Sequence, residues 1–309
     1  MRVLLLFPLI ALPAHAEVPD IVTDIAPVQA IAAAVMGDTG TPRLLIDGQA
    51  DPHHVQLRPS EARRLAEAGA LVWVGPALTP WLEDARQGLA PDAPSLVLME
   101  APGVILREPM FGGHDHDHGH EHGDNDDAHD HEDEAHEAGD PHAWLDPMNA
   151  VAWARAIAGM LGTLDPANGA AYAANAEAFA QETEALVAEL TATLAPVRDR
   201  AVIVQHDAYA HFADRFGLTV AGSIGDSDAA ARGAASLIRL EAHIEAGNIA
   251  CLLTEVQQPT ALADRLLEGH DVARGVLDPL GADGAPGADG YARLMRQLAA
   301  DWAACAGAG

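Results

Sequence analysis

Between residues 113 and 140 the chain reads GHDHDHGHEHGDNDDAHDHEDEAHEAGD. Eight of its sixteen histidines lie there: His114, His116, His118, His120, His122, His129, His131 and His136. Twelve carboxylates accompany them, with no aromatic, branched aliphatic or basic residue. A segment of that composition has nothing to bury and reads as a solvated loop. Neutral imidazole is the commonest side-chain ligand for zinc and related transition metals, and crowded carboxylates raise the local concentration of cations. A plain acidic linker needs no such density of histidine. The stretch therefore reads as a loop that binds transition metal, without saying what is done with the metal.

Four residues outside the loop complete the candidate chemistry, and their placement depends on the elements around them. Short β-rich runs at 20–25, 43–46, 71–74 and 95–98 alternate with helical patterns that run to about Met36, from Ser60 to Gly69 and over 80–87. After the loop comes a helix over 147–161, then a longer one opening at Asp165-Pro166 and stopped by Pro196. Along it Tyr172, Ala176, Phe179, Thr183, Leu186, Leu190 and Leu194 recur every three or four residues, which marks one helical face. At 1.5 Å per residue such a helix reaches about 40 Å, the length of a strut between two lobes. The alternation then resumes, with strands at 201–205, 218–221, 249–253 and 275–277 and helices at 208–216, 236–246, 260–268 and 291–304. The expected fold is α/β, with two lobes of mainly parallel sheet flanked by helices and a crevice between them. The expected division is a signal peptide over 1–16, an N-terminal lobe over 17–162 carrying the loop 113–140, a connecting helix over 163–196 and a C-terminal lobe over 197–309.

On that frame His53 lies in the loop after the second strand, His206 directly follows the strand 201–205, and Asp278 directly follows the strand 275–277. Ligands of open α/β sheets bind outside the carboxyl ends of the strands. His142 sits where the chain returns to ordered sequence after the histidine loop. Any one of these histidines alone reads as a surface residue or a satisfied polar group, but their shared position groups them. Three imidazoles and one carboxylate suit tetrahedral zinc. Glu255 reads either as a partner that orients a histidine or as a structural residue. His211 reads as facing solvent, His243 and His270 as surface residues, and Trp73, Trp81 and Trp144 as core or crevice wall.

The chain starts with one positive charge, Arg2, then a short apolar run ending in Ala14-His15-Ala16, which reads as an export signal cleaved after Ala16. No later stretch is long and apolar enough to span a membrane. A formal net charge of −29 argues against nucleic acid as a partner. In an oxidising compartment the two cysteines, Cys251 and Cys305, would form one disulfide between a strand and the C-terminal helix.

Several segments resemble solute-binding proteins of zinc-uptake ABC transporters, the metal-binding cluster A-I family. They are Asp51-Pro52-His53-His54-Val55-Gln56-Leu57-Arg58-Pro59-Ser60, Asp140-Pro141-His142-Ala143-Trp144-Leu145-Asp146-Pro147, Gln205-His206-Asp207-Ala208-Tyr209, Thr254-Glu255-Val256-Gln257 and Leu277-Asp278-Pro279-Leu280-Gly281. The resemblance covers essentially the whole mature chain. It implies a metal held between two lobes by His53, His142, His206 and Asp278, with water or a nearby acid as the alternative fourth ligand. Related manganese receptors typically carry Glu at the third position, so His206 favours zinc. It further implies a monomeric periplasmic receptor that delivers Zn²⁺ to a membrane permease driven by a cytoplasmic ATPase, with a periplasmic zinc chaperone as a possible donor. A zinc hydrolase would keep an open coordination position, but no HExxH motif or spaced general base is present. A free-standing periplasmic zinc buffer or chaperone would show the same ligands.

Overall fold

A computed structural model of the chain describes residues 18–46, 48–111, 139–226, 232–282 and 287–308. The leader over 1–16 and the eight loop histidines lie outside the described residues. In the first lobe β1 (Ile21–Thr23), α1 (Ala26–Met36), β2 (Arg43–Leu44), α2 (Pro59–Ala66), β3 (Ala70–Trp73), α3 (Pro80–Leu89) and β4 (Ser95–Val97) follow in turn. Their strands form a parallel sheet in the order β2-β1-β3-β4. Then come α4 (Pro147–Leu164) and α5 (Gly169–Leu194). The second lobe consists of β5 (Val202–His206), α6 (Ala210–Phe216), β6 (Val220–Gly225), α7 (Ala234–Glu245), β7 (Cys251–Glu255), α8 (Ala261–Leu266), β8 (Ala273–Leu277) and α9 (Gly290–Ala308). Its sheet is also parallel, in the corresponding order β6-β5-β7-β8. The inner strands β1, β3, β5 and β7 are buried throughout, as strands covered on both faces must be. In each lobe the first strand lies between the second and the third, so each sheet has a switch point at which a ligand crevice opens.

The 26 residues of α5 span about 39 Å. Its buried face is Tyr172, Ala176, Phe179, Ala180, Thr183, Leu186, Leu190 and Leu194, which includes every position the periodicity marks. The helix starts later than Asp165-Pro166 suggests. The Asp165 carboxylate instead shapes the preceding turn, accepting from Asn168 Nδ2 at 2.7 Å and from the Tyr172 hydroxyl at 2.8 Å. Pro196 falls in a 3-10 turn, Ala195–Val197, that closes the far end. α5 packs on α1 and α4 from the first lobe and on α9 from the second. One apolar core therefore runs through both lobes and includes Trp73, Trp153, Tyr172, Tyr209 and Trp302. A smaller cluster around Ile203, Leu240, Ile244 and Leu252 fills the other face of the second sheet.

Cys251 on β7 and Cys305 on α9 are bridged, with Cα atoms 5.7 Å apart. Gly275 on β8 leaves room for this bridge, since a Cβ there would lie 2.9 Å from both Cβ and Sγ of Cys305. Among the described residues no helix is long and apolar enough to cross a membrane. The bridge spans 54 residues of sequence, a loop whose closure stabilises the folded state by roughly 4 kcal/mol in the chain-entropy account. Replacing both cysteines by alanine is expected to lower the unfolding free energy by an amount approaching that figure, read as a lower denaturant midpoint. An unchanged midpoint would show that α9 is held by packing alone.

Candidate metal centre

Three histidines from three separate segments meet in the crevice. His53 comes from the irregular loop between β2 and α2, His142 from the turn that leads into α4, and His206 from the last position of β5. All three are buried. His142 Nε2 lies 3.3 Å from His53 Nε2 and 3.3 Å from His206 Nε2. One ligand nitrogen from each ring falls within 4.8 Å of the others. With Zn–N bonds of 2.0–2.1 Å, tetrahedral zinc sets neighbouring nitrogens about 3.3 Å apart. The cavity between them is small, at ≈ 20 Å³. That volume suits one atom-sized occupant.

Local chemistry turns the rings inward. His53 and His142 both stand in the tripeptide Asp-Pro-His. In each, the aspartate Oδ1 accepts the histidine backbone N–H at 3.0 Å, a side-chain turn that fixes the residue two places on. Asp140 Oδ1 also lies 2.6 Å from His142 Nδ1, which holds the proton there and leaves Nε2 for a metal. Asp140 is anchored in turn, since its backbone N–H donates to Arg107 O at 2.6 Å. Asp146 closes the same motif by capping α4 through Met148 N–H at 2.9 Å and by taking both arms of Arg215 at 2.7 Å.

Behind His206 stands Glu255, the last residue of β7. Its Oε1 lies 2.8 Å from His206 Nδ1 in a charge contact rather than an aligned hydrogen bond. The same oxygen accepts from the Tyr209 hydroxyl at 2.8 Å. Of the two readings of Glu255, the geometry shows the partner that orients a histidine. The Trp144 ring forms the wall beside His142, with centroids 5.3 Å apart, and its indole N–H donates to Pro279 O at 2.9 Å. Trp73 is core, and Trp81 ties the His53 loop by donating to Pro52 O at 3.0 Å.

Not every expected residue joins the triad. His54 is exposed, so His53 is the inward member of that pair. Asp278 is absent from the metal-competent group. Its Oδ1 accepts from Gln257 Nε2 and Gly281 N–H at 2.9 Å and from Leu280 N–H at 3.3 Å, and its Oδ2 accepts from Ala282 N–H at 2.6 Å. His211 corrects the solvent-facing expectation, because it is buried. Its Nε2 is 3.0 Å from Asp140 O and its Nδ1 is 3.4 Å from Asn149 Nδ2, so it helps brace the His142 turn. Its helix packs inward on that side, which helical spacing from His206 alone did not show. His243 is exposed and His270 half-buried. Sequence reasoning passed over Asp140 as an orienting residue, although the repeated Asp-Pro-His was a signal for it.

Burial pushes the Asp140 carboxyl up to about 6 against the pull of His211 and His206, and its Oδ2 is buried without a partner. Burial, aided by the neighbouring His206, holds the His142 imidazole well below its usual pKa. At His206 burial is the largest influence and acts in the same downward direction, but Glu255, with help from Asp51 and Asp140, more than offsets it and the pKa is raised. His142 is therefore neutral across the physiological range, whereas His206 takes up a proton first as pH falls. A dication placed among the three Nε2 atoms would replace that proton and face two buried carboxylates, Asp140 and Glu255. The residues present fit such an ion.

Two parallel-sheet lobes about a shared helix, with a buried imidazole triad between them, define a solute-binding receptor for a transition metal. The family model for ZnuA, the periplasmic component A of zinc-uptake complexes, matches residues 21–305, and the chain belongs to that family. It is similar to the high-affinity zinc uptake system protein ZnuA of Paracoccus denitrificans, at 41% identity over 96% of this chain and 95% of that one. It is also similar to the protein of that name from Brucella abortus, at 36% identity over 90% of this chain and 89% of the other. A solved crystal structure of ZnuA superposes with a TM-score of 0.75 at 26% identity, covering 94% of this chain and 100% of the other. A ZnuA deletion mutant with zinc bound superposes with a TM-score of 0.76, covering 94% and 98%.

Because His206 must lose its proton to bind, zinc affinity is expected to fall as pH drops through that raised pKa, with about one proton released per ion bound. Glu255→Gln removes the charge that raises the pKa, so the fall should begin at lower pH in that variant. Competition titrations from about pH 8 to about pH 5.5 bracket the ordinary histidine range and would measure both onsets. Identical onsets would remove Glu255 from control of the site.

Proposed function

We propose that this chain captures Zn²⁺ in the periplasm and hands it to the membrane permease of an ABC transporter driven by a cytoplasmic ATPase. The convergence of three buried imidazoles, with Nε2 of His142 at 3.3 Å from Nε2 of both His53 and His206, carries this reading. His53, His142 and His206 are the proposed protein ligands. The fourth position falls to Asp278 if it gives up its loop amides, and otherwise to water. An imidazole-rich set favours zinc over manganese, which prefers oxygen ligands. We read the protein as a monomeric receptor rather than an enzyme. The acids nearest the triad are committed to holding histidines, Asp140 against His142 and Glu255 against His206, which leaves neither as a general base. Cleavage of the leader after Ala16 would release the mature receptor, and the histidine loop would collect zinc for the crevice or take it from a periplasmic chaperone.

Calorimetric zinc titration of the mature protein tests this. Beside it run a deletion of residues 113–139 and the variant His142→Ala. One tight site that survives the deletion and collapses in His142→Ala is the expected result. A tight site that disappears with the loop while His142→Ala binds normally would make the protein a loop-based zinc buffer.

A further inference from the structure

The first Asp-Pro-His differs from the second in how it uses its aspartate. Asp140 spends Oδ1 on both the backbone and the ring of His142. Asp51 holds the His53 backbone N–H with Oδ1, and its Oδ2 reaches across the crevice to accept from Gln258 Nε2 at 3.2 Å. Gln258 lies in the loop after β7, in the opposite lobe. Its neighbour Gln257 donates to Gly48 O at 2.8 Å and to Asp278 Oδ1 at 2.9 Å. Two consecutive glutamine amides thus fasten the His53 loop near its start and immediately before the ligand.

We propose that Gln258, acting through Asp51, latches the His53 loop to the second lobe and sets the rate at which zinc leaves. This rests on the reading of the chain as a zinc receptor. His206 is carried by a buried strand and His142 by a buried turn braced by Asp140 and His211. Between β2 and α2, in contrast, none of the described residues lies in a strand or helix, so His53 is the ligand whose carrier moves at least cost. Of the other fastenings between the lobes near the site, those from Trp144 to Pro279 and from Tyr291 to Trp144 are buried, and the one from Arg215 to Asp146 is held by two hydrogen bonds at 2.7 Å. Asp51, Gln257 and Gln258 are only half-buried, and water can replace their hydrogen bonds as the loop swings out. The amide of Gln258 does not titrate. It acts as a positioning residue for His53 through Asp51.

The test is stopped-flow release of zinc from the full chain into excess chelator, followed by tryptophan fluorescence. Trp81 bonds to Pro52 in the moving loop and Trp144 lies beside His142, so both report on the site. Gln258→Ala removes one hydrogen bond to a carboxylate and is expected to speed dissociation about tenfold, with the association rate unchanged. Gln258→Glu sets a second carboxylate against Asp51 and should speed it further. The melting temperature of the metal-free protein and the visible spectrum of the Co²⁺ form should match the wild type in Gln258→Ala, since neither the core nor the triad is touched. A wild-type dissociation rate in Gln258→Ala overturns the latch, and so does an altered Co²⁺ spectrum, which would place the effect in triad geometry. Absence of a tight zinc site in the wild type would instead overturn the receptor reading, and the latch with it.

Discussion

Three imidazole nitrogens turned toward one another in a buried crevice repel unless something positive lies between them. With Nδ1 of His142 committed to Asp140, its Nε2 offers only a lone pair to the rings on either side, 3.3 Å away. A proton can relieve one such contact, whereas a dication relieves both at once. The rest of the site follows from this constraint. The rings must come from different segments, because no single turn presents three converging side chains, and each ring needs a partner behind it to hold its tautomer.

Those partners also set the charge balance. Asp140 and Glu255 are buried carboxylates behind neutral imidazoles, a pattern that leaves the pocket short of two positive charges. Empty, the site compensates with protons. Burial pushes Asp140 up to about 6, and Glu255 raises the pKa of His206 against the effect of its own burial. A dication in the crevice would supply the two positive charges that the pocket lacks. The Tyr209 hydroxyl donates to the Glu255 carboxylate and the Arg107 carbonyl accepts the Asp140 backbone N–H, so the polar network extends into both lobes.

Much of this was legible before any coordinates. The βα alternation showed two parallel sheets, the spacing from Tyr172 to Leu194 identified the buried face of α5, and residues at strand ends marked the crevice. The misreadings have local causes. Asp165 and Pro166 look like a helix start, but their carboxylate and ring shape a turn that delays the helix to Gly169. Helical spacing alone places His211 toward solvent, but what lies across from a helix face is a property of packing. Asp278 follows its strand as expected, yet the loop it heads folds back and offers it amides. Gln258 could not be found from spacing at all, since its partner lies 207 residues away and the two meet only once both lobes exist.

The apolar core that α5 carries through both lobes has a thermodynamic consequence. Two lobes with separate cores would melt as separate units, and an ion in the crevice would stabilise only their interface. Here Leu186, Leu190 and Leu194 belong to the same cluster as Trp73 on one side and Trp302 on the other. Neither lobe can lose its packing without exposing that of its neighbour, so the molecule has the makings of one cooperative unit. Occupancy of a single atom-sized site is then registered as the stability of the entire chain.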